Sequence, residues 1–415
     1  MTYKLSNIKI ALKQHIGEAA APIVSIGDTV KKGQLLAVCK GLGANIHSSV
    51  YGSIVRIDNT YVTIKPDAQQ PEDFVKIKET SSHLEAIKEA GIVGAGGAGF
   101  PAHVKYNIDL DGGCVIVNAV ECEPTLLHNI RVLEEDAESI VKGLIYIMEI
   151  TNATKSYIAI KPKNKGALIA TAKAIQDYNK DCISKGYINT NREYASNVEI
   201  KFLPDMYPSG DERVVIRELL GEHLEPGQLP STVGAIVSNV ETVKRVREAI
   251  DLRKPVITKD ITVGGRLVNT FGNNSQIFLD QPIGTPVAEY INKCGGYIEP
   301  FGEIVLGGPF TGQRGYEDSV LTKTTSGIFV TMPFPRDEKN FGILACECGA
   351  SKERLREIVA DIGGTVVSEM LCKRMVEVNG RYRCEEPGKC PGQAEAALYL
   401  KRNGAEAIIS SACEE

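Results

Sequence analysis

The sequence predicts a multidomain α/β protein, and three observations carry that prediction. From about residue 81 to 252, short apolar runs alternate with amphipathic helical patterns, as in a layered α/β fold. Before this stretch only brief β-branched runs and turns occur. After residue 341 a second strand–helix alternation appears, with cysteines at its strand ends. At 415 residues the chain is also too long for one hydrophobic core.

In order, residues 1–70 place short runs at 23–26, 34–38, 52–57 and 61–64 between turns such as Gly27-Asp28, the spacing of a small β sandwich. The text from Gly27 to Leu36 resembles a biotinyl/lipoyl-type hammerhead. Its expected hairpin tip, residues 44–52, holds no lysine to carry a swinging arm, so a docking or structural role is expected. His47 on that tip reads as a surface or internally satisfied histidine.

Residues 80–252 form the second unit. A helical pattern over 82–90 carries Leu84, Ile87 and Ala90 on one side. It runs into five glycines between Gly91 and Gly99, a backbone nearly free of Cβ atoms on which a flat or anionic ligand can meet peptide N–H groups. The spacing Gly94-x-Gly96-x-x-Gly99 fits the dinucleotide fingerprint in form, but a helix precedes it where a strand is required, so the Rossmann reading fails. Lys105 sets a cation just downstream. Residues 115–119 read as a buried strand entering a polar elbow that holds Asn118, Glu121 and Glu123, with Cys122 as a packing residue. Helices are expected at 131–148 and 165–178, and strands at 157–160 and 198–203. Tyr207, Gly210, Asp211 and Glu212 lead into a helix ending at Leu220, and Asn239 caps another.

Residues 256–315 outline a strand–helix–strand unit, with Cys294 at the helix end and no evident chemistry. The charged, proline-containing stretch 332–340 reads as a linker. Six of the eleven cysteines fall in residues 341–415. Strands at 341–345, 364–372 and 405–413, joined by helices at 352–362 and 393–402, should be parallel, which gathers Cys346, Cys348, Cys372 and Cys413 on one edge. A loop between them carries Cys384 and Cys390, a pair that could supply further ligands or a thiol relay. Redox thiols, an iron–sulfur cluster and structural zinc are the alternatives for this edge.

Together the glycine loop, the elbow and the segments at Tyr207 and Asn239 resemble the 51 kDa flavoprotein of complex I and, more closely, the RnfC component of the Rnf electron-transport complex, over roughly residues 5–330. The resemblance implies a lipoyl-like N-terminal sandwich, an FMN-binding α/β unit and an SLBB-type β-grasp unit at 256–315. It implies FMN lined by Gly94, Gly96, Gly97, Gly99, Lys105, Asn118, Tyr207, Gly210 and Asn239. It places NADH against Phe100, Glu123 and Glu212, with Glu121 between the ligands and Asp211 in the same segment. Val120 stands where the complex I pattern has an aspartate. No CxxCxxC run follows the Asn239 helix, so the iron–sulfur exit of both relatives is missing.

A flavin unit joined to a cysteine-rich tail resembles the proline-reductase-associated electron-transfer proteins. That implies an NADH-dependent flavin oxidoreductase delivering electrons to D-proline reductase. The competing expectation is a non-catalytic, RnfC-like adaptor that docks or relays to a reductase without flavin. A net charge of −5 with no basic cluster excludes nucleic acid as a partner. No apolar run reaches the length of a membrane span and no signal peptide is evident, so a cytoplasmic protein, not embedded in membrane, is expected. A homo-oligomer is left open.

Overall fold

The computed structural model of the protein describes residues 6–184, 198–270, 272 and 274–411. The first unit comprises β1 (Ile8–Ala11), β2 (Ala21–Pro22), β3 (Thr29–Val30), β4 (Leu35–Val38), β5 (Ile46–His47), β6 (Gly52–Ile57) and β7 (Tyr61–Pro66). They form one sheet in the order β1-β7-β6-β3 and a second in the order β2-β4-β5, as the spacing predicts. The expected tip is not a free hairpin: residues 43–50 are buried. Ser49 Oγ donates to the Ile283 carbonyl at 2.6 Å, and Lys323 Nζ to the Asn45 and Gly91 carbonyls at 2.7 Å each. His47 is therefore a core residue rather than a surface one, and burial pushes its pKa down to about 3.

The central layer is a four-stranded parallel sheet in the order β10-β9-β8-β11. It is preceded by α1 (His83–Glu89), capped by Ser82, and by the short α2 (Ala102–Lys105). β8 (Cys114–Ala119) is almost wholly buried, as a central parallel strand must be. It leads to α3 (His128–Thr151), β9 (Lys155–Ile160), α4 (Lys165–Ser184) and β10 (Val198–Phe202). α5 (Glu212–Leu220), β11 (Ala235–Asn239) and α6 (Val240–Asp251) complete the layer. α3 and α4 both run longer than the sequence pattern marks, and they pack on each other, with α3 also packed on α6.

A mixed sheet follows, built from β12 (Thr258–Gly265), β13 (Gln276–Pro282), β14 (Ile304–Leu306), β15 (Gln313–Gly315) and β16 (Gly327–Val330), with α7 (Val287–Lys293) packed on it. The order is β13-β12-β16-β14-β15, and β16 lies beyond the 256–315 span that the pattern marks. Buried ion pairs tie α6 to this sheet: Glu241 with Lys259, and Lys244 with Asp260 at 3.2 Å.

The last unit is a three-stranded parallel sheet, β18-β17-β21, from β17 (Asn340–Ala345), β18 (Thr365–Leu371) and β21 (Ala407–Ser410), flanked by α8 (Lys352–Ile362) and α9 (Ala394–Arg402). One element departs from expectation. The segment carrying Cys384 is a hairpin, β19 (Met375–Val378) with β20 (Arg381–Cys384). Its turn is Asn379-Gly380, both at positive φ, which matches the right-handed twist of the flanking strands. Among the described residues no helix is long and apolar enough to cross a membrane.

Candidate functional site

At the carboxyl ends of β8 and β11 lies a cavity of about 650 Å³. Brief strand ends, a helix cap and two loops build it. Asn239, on the last residue of β11, caps α6 by accepting from Glu241 N at 2.9 Å. Asn118, on β8, donates to the Gly210 carbonyl at 2.9 Å and so fixes the segment before α5, whose first turn Asp211 caps. The glycine loop folds over this edge, held by Ala95 N donating to Thr242 Oγ1 at 2.9 Å.

The cavity brings together Gly96, Gly97, Asn118, Glu121, Glu123, Tyr207, Gly210, Asp211 and Asn239 from the sequence-predicted set. Gly94, Gly99, Phe100, Lys105 and Glu212 lie outside its lining. Lys105 and Glu212 instead form an ion pair with each other at 2.8 Å. Glu123 is already engaged: it accepts from Phe310 N at 2.9 Å and Thr311 N at 3.0 Å, on the loop after β14.

Electrostatics mark Glu121. Burial pushes its carboxyl up to about 7; the bond from Asn129 Nδ2 opposes the shift and nearby Glu123 adds to it. Burial also pushes the Cys122 thiol up to about 12, consistent with a packing residue whose sulfur sits against Gly210. Burial raises the Tyr207 hydroxyl well above its ordinary value.

The residues fit a flat, phosphate-bearing group on two observations. A Cβ built on Gly97 meets nothing within 4 Å, so the loop there faces open cavity rather than packed protein. Asn129 lines the same cavity, and its buried Oδ1 has no hydrogen-bond partner, a polar group left unsatisfied at the cavity wall. Gly96 is packed more tightly, since a Cβ there would come within 2.6 Å of Asn239 Nδ2.

The far wall of the cavity was not legible in the sequence. Glu347 and Cys348, from the turn after β17, line it. The Tyr207 hydroxyl donates to the Cys348 carbonyl, and its ring packs edge-on against Phe310 with centroids 4.7 Å apart. Arg213 on α5 pairs with Glu347 at 2.8 Å and donates to the Cys384 carbonyl, while Arg217 donates to the Pro387 carbonyl at 2.9 Å.

Parallel pairing gathers cysteines on the sheet edge. Ala345 pairs with Leu371, and Cys372 N donates to the Ala345 carbonyl at 2.9 Å, so Cys346 and Cys372 follow adjacent strand ends. Cys348 lies within hydrogen-bonding reach of both Cys346 and Cys384, and Cys346 of Cys372. Cys384, which the sequence offers as a further ligand or relay thiol, therefore takes a place in the cluster, on a strand rather than in a loop. The signal for it was the Asn379-Gly380 turn, which folds β20 back beside the edge. Cys413, expected in this group, lies outside the described residues. Hydrogen bonding from the Cys348 thiol lowers Cys346 to about 6 and also lowers Cys384, while Cys348 is raised. Among the described residues no group of three or more His, Cys, Asp or Glu is arranged to hold a metal ion.

Comparison with known proteins agrees with this architecture. Residues 87–248 match the Nuo51 FMN-binding domain, and residues 3–79 the RnfC barrel sandwich hybrid domain. The chain is 32% identical over 360 residues to the C component of the proton-translocating ferredoxin:NAD(+) oxidoreductase complex of Clostridium ljungdahlii, a match covering 81% of this chain and 73% of that one. It is 32% identical over 346 residues to the C component of the ion-translocating oxidoreductase complex of Rhodobacter capsulatus, covering 77% of this chain and 62% of the relative, less than two thirds of its length. Cobalamin reductase PduS of Salmonella typhimurium is 33% identical over 247 residues, covering 59% of this chain and 49% of the relative. At 32% identity over 81% of its own length and 73% of the relative's, and with the RnfC barrel sandwich at residues 3–79, the chain belongs to the RnfC family of Rnf-complex proteins.

Proposed function

We propose that this chain is an electron-transfer flavoprotein, taking reducing equivalents from NADH through FMN to its C-terminal cysteines and on to a partner reductase. The observation that carries the reading is a single cavity lined at once by Gly96, Gly97, Asn118, Gly210 and Asn239 and, across from them, by Cys348. Bound FMN would supply hydride acceptance and stepwise electron release. The chain's own residues do the rest. The amides of the glycine loop hold anionic groups, Asn118 and Asn239 orient the ring edge, and Glu121, with its pKa near 7, can donate or accept a proton inside the cavity.

In this proposal residues 1–70 dock the unit, residues 80–252 hold FMN, and an SLBB-type β-grasp unit beginning at 256 closes the cavity with its loop. Beyond the 332–340 linker, residues 341–415 form a cysteine-rich redox unit. D-proline reductase is the partner that the sequence resemblance implies, and a cytoplasmic setting goes with it. The test is a visible spectrum of purified protein with and without NADH, with metal content measured on the same sample. A flavin band that bleaches with NADH supports the reading. Colourless protein that oxidises no NADH with an artificial acceptor defeats it.

One observation favours a second reading, an adaptor without flavin chemistry. Glu123 is held by the loop after β14, and Lys105 and Glu212 satisfy each other, so three charged groups expected to meet ligands carry partners of their own. If this reading holds, Lys105→Ala and Glu123→Gln leave reduction of the partner unchanged.

A further inference from the structure

We infer that the cysteine edge is a two-couple dithiol relay, in which Cys348 and Cys384 form the couple facing the cavity and Cys346 and Cys372 the couple that passes electrons onward. The inference deepens the proposed function, since the electrons that reach the first couple come from the reduced flavin of that reading.

Geometry assigns the pairs. Cys348 is the cysteine of the tail that lines the cavity. Cys384 is drawn to it by a clasp around Glu347, whose Oε2 accepts from Cys384 N at 2.6 Å and from Arg213 at 2.8 Å, while Arg213 also donates to the Cys384 carbonyl. Cys346 and Cys372 follow adjacent parallel strand ends, and Gln393 Nε2 donates to Cys372 Sγ at 3.5 Å. One member of each couple, Cys372 and Cys384, is buried, whereas Cys346 and Cys348 are partly exposed. The Cys346–Cys348 contact joins the couples.

The electron count closes. A Cys348–Cys384 disulfide takes two electrons and two protons from reduced flavin and opens to two thiols. The Cys348 thiolate then attacks Sγ of Cys346 in a Cys346–Cys372 disulfide, forming a Cys346–Cys348 bond and releasing the Cys372 thiolate. The Cys384 thiolate attacks Cys348, which restores the first disulfide and releases the Cys346 thiolate. Two electrons have moved one couple outward, and the protons leave with the thiolate equilibria. The bonds that lower Cys346 make it a good leaving group in the last step.

The test uses full-length protein oxidised with diamide, which takes two electrons and two protons per disulfide formed, and reversed with dithiothreitol. Trypsin together with a protease cutting after glutamate separates all four cysteines, since Glu347 lies between Cys346 and Cys348, and Lys373 and Arg383 lie between Cys372 and Cys384. The expected result is two cross-linked peptide pairs, 348 with 384 and 346 with 372. Before oxidation, iodoacetamide at pH 7 should modify Cys346 at least ~10-fold faster than Cys348, as a thiolate against a thiol. Absence of either pair, a 346–348 link as the sole product, or a stoichiometric metal that blocks all four thiols would overturn the relay. Neither reagent needs bound flavin. Missing flavin therefore sinks the proposed function and leaves the pairing standing, and scrambled disulfides beside a flavin spectrum do the reverse.

Discussion

Tyr207, at the mouth of α5, donates its hydroxyl to the main-chain carbonyl of Cys348, 141 residues further along the chain. This bond places the cysteine turn of the last unit on the wall of a cavity whose floor is the glycine loop of the second. Residues of the second unit and of the last thus line one cavity.

Tyr207→Phe keeps the ring against Phe310 and removes the donor. The loss should be about 1 kcal/mol, that of a typical net hydrogen bond. Because residues 332–340 are mostly exposed, the readout is trypsin cleavage there, expected to run several-fold faster than in the parent protein. An unchanged cleavage rate would mean that the tail is held elsewhere.

Arg213→Ala removes a partly buried partner of Glu347 and the donor to the Cys384 carbonyl. Arg383 still pairs with Glu347 at 2.6 Å, so the carboxylate is not stranded, and a cost of about 1–2 kcal/mol is expected. Hydrogen exchange should rise at β19 and β20 and stay constant in the parallel sheet of the second unit.

Gly97→Ala adds a methyl group in open space, so thermal stability should hold while the cavity loses room for a ring. Flavin affinity, read by quenching of FMN fluorescence, should fall at least ~10-fold, equivalent to about 1.4 kcal/mol. Equal affinity in both proteins would move the cofactor elsewhere.

Glu121 links the cavity to pH. Its folded pKa of about 7 lies above the ordinary 4.5, so between these values the unfolded chain has released the proton that the folded chain retains. Stability therefore falls as pH rises from 4.5 to 7 and levels off above, by up to about 3 kcal/mol. Glu121→Gln keeps an oxygen for Asn129 and should flatten this slope, making the variant the more stable at about pH 8 in urea titrations.

Much of this was written in local pattern. The helix before the glycine loop excluded a Rossmann unit, and Asn239 caps the helix its position predicted, while the caps at Ser82 and Asp211 come from the structure. The extents of α5 and α8 follow from apolar period and caps alone, because each buries one stripe against a sheet. The Asn379-Gly380 turn is an equally local hairpin signal, but its short flanking strands lack strong apolar alternation.

What the sequence by itself determined is the set of units, their order and the residues on the strand ends, since periods of two and 3.6 and the turn chemistry act over a few residues. Only the tertiary structure decided that Lys105 meets Glu212, that Glu123 meets the loop at Phe310, that Asn129 is left with an unpaired oxygen, and that Cys348 and Cys384 come together beside the cavity. Those contacts join residues from different elements, most of them far apart in the chain. Burial and charge pairing between packed units select them, and no local period records either.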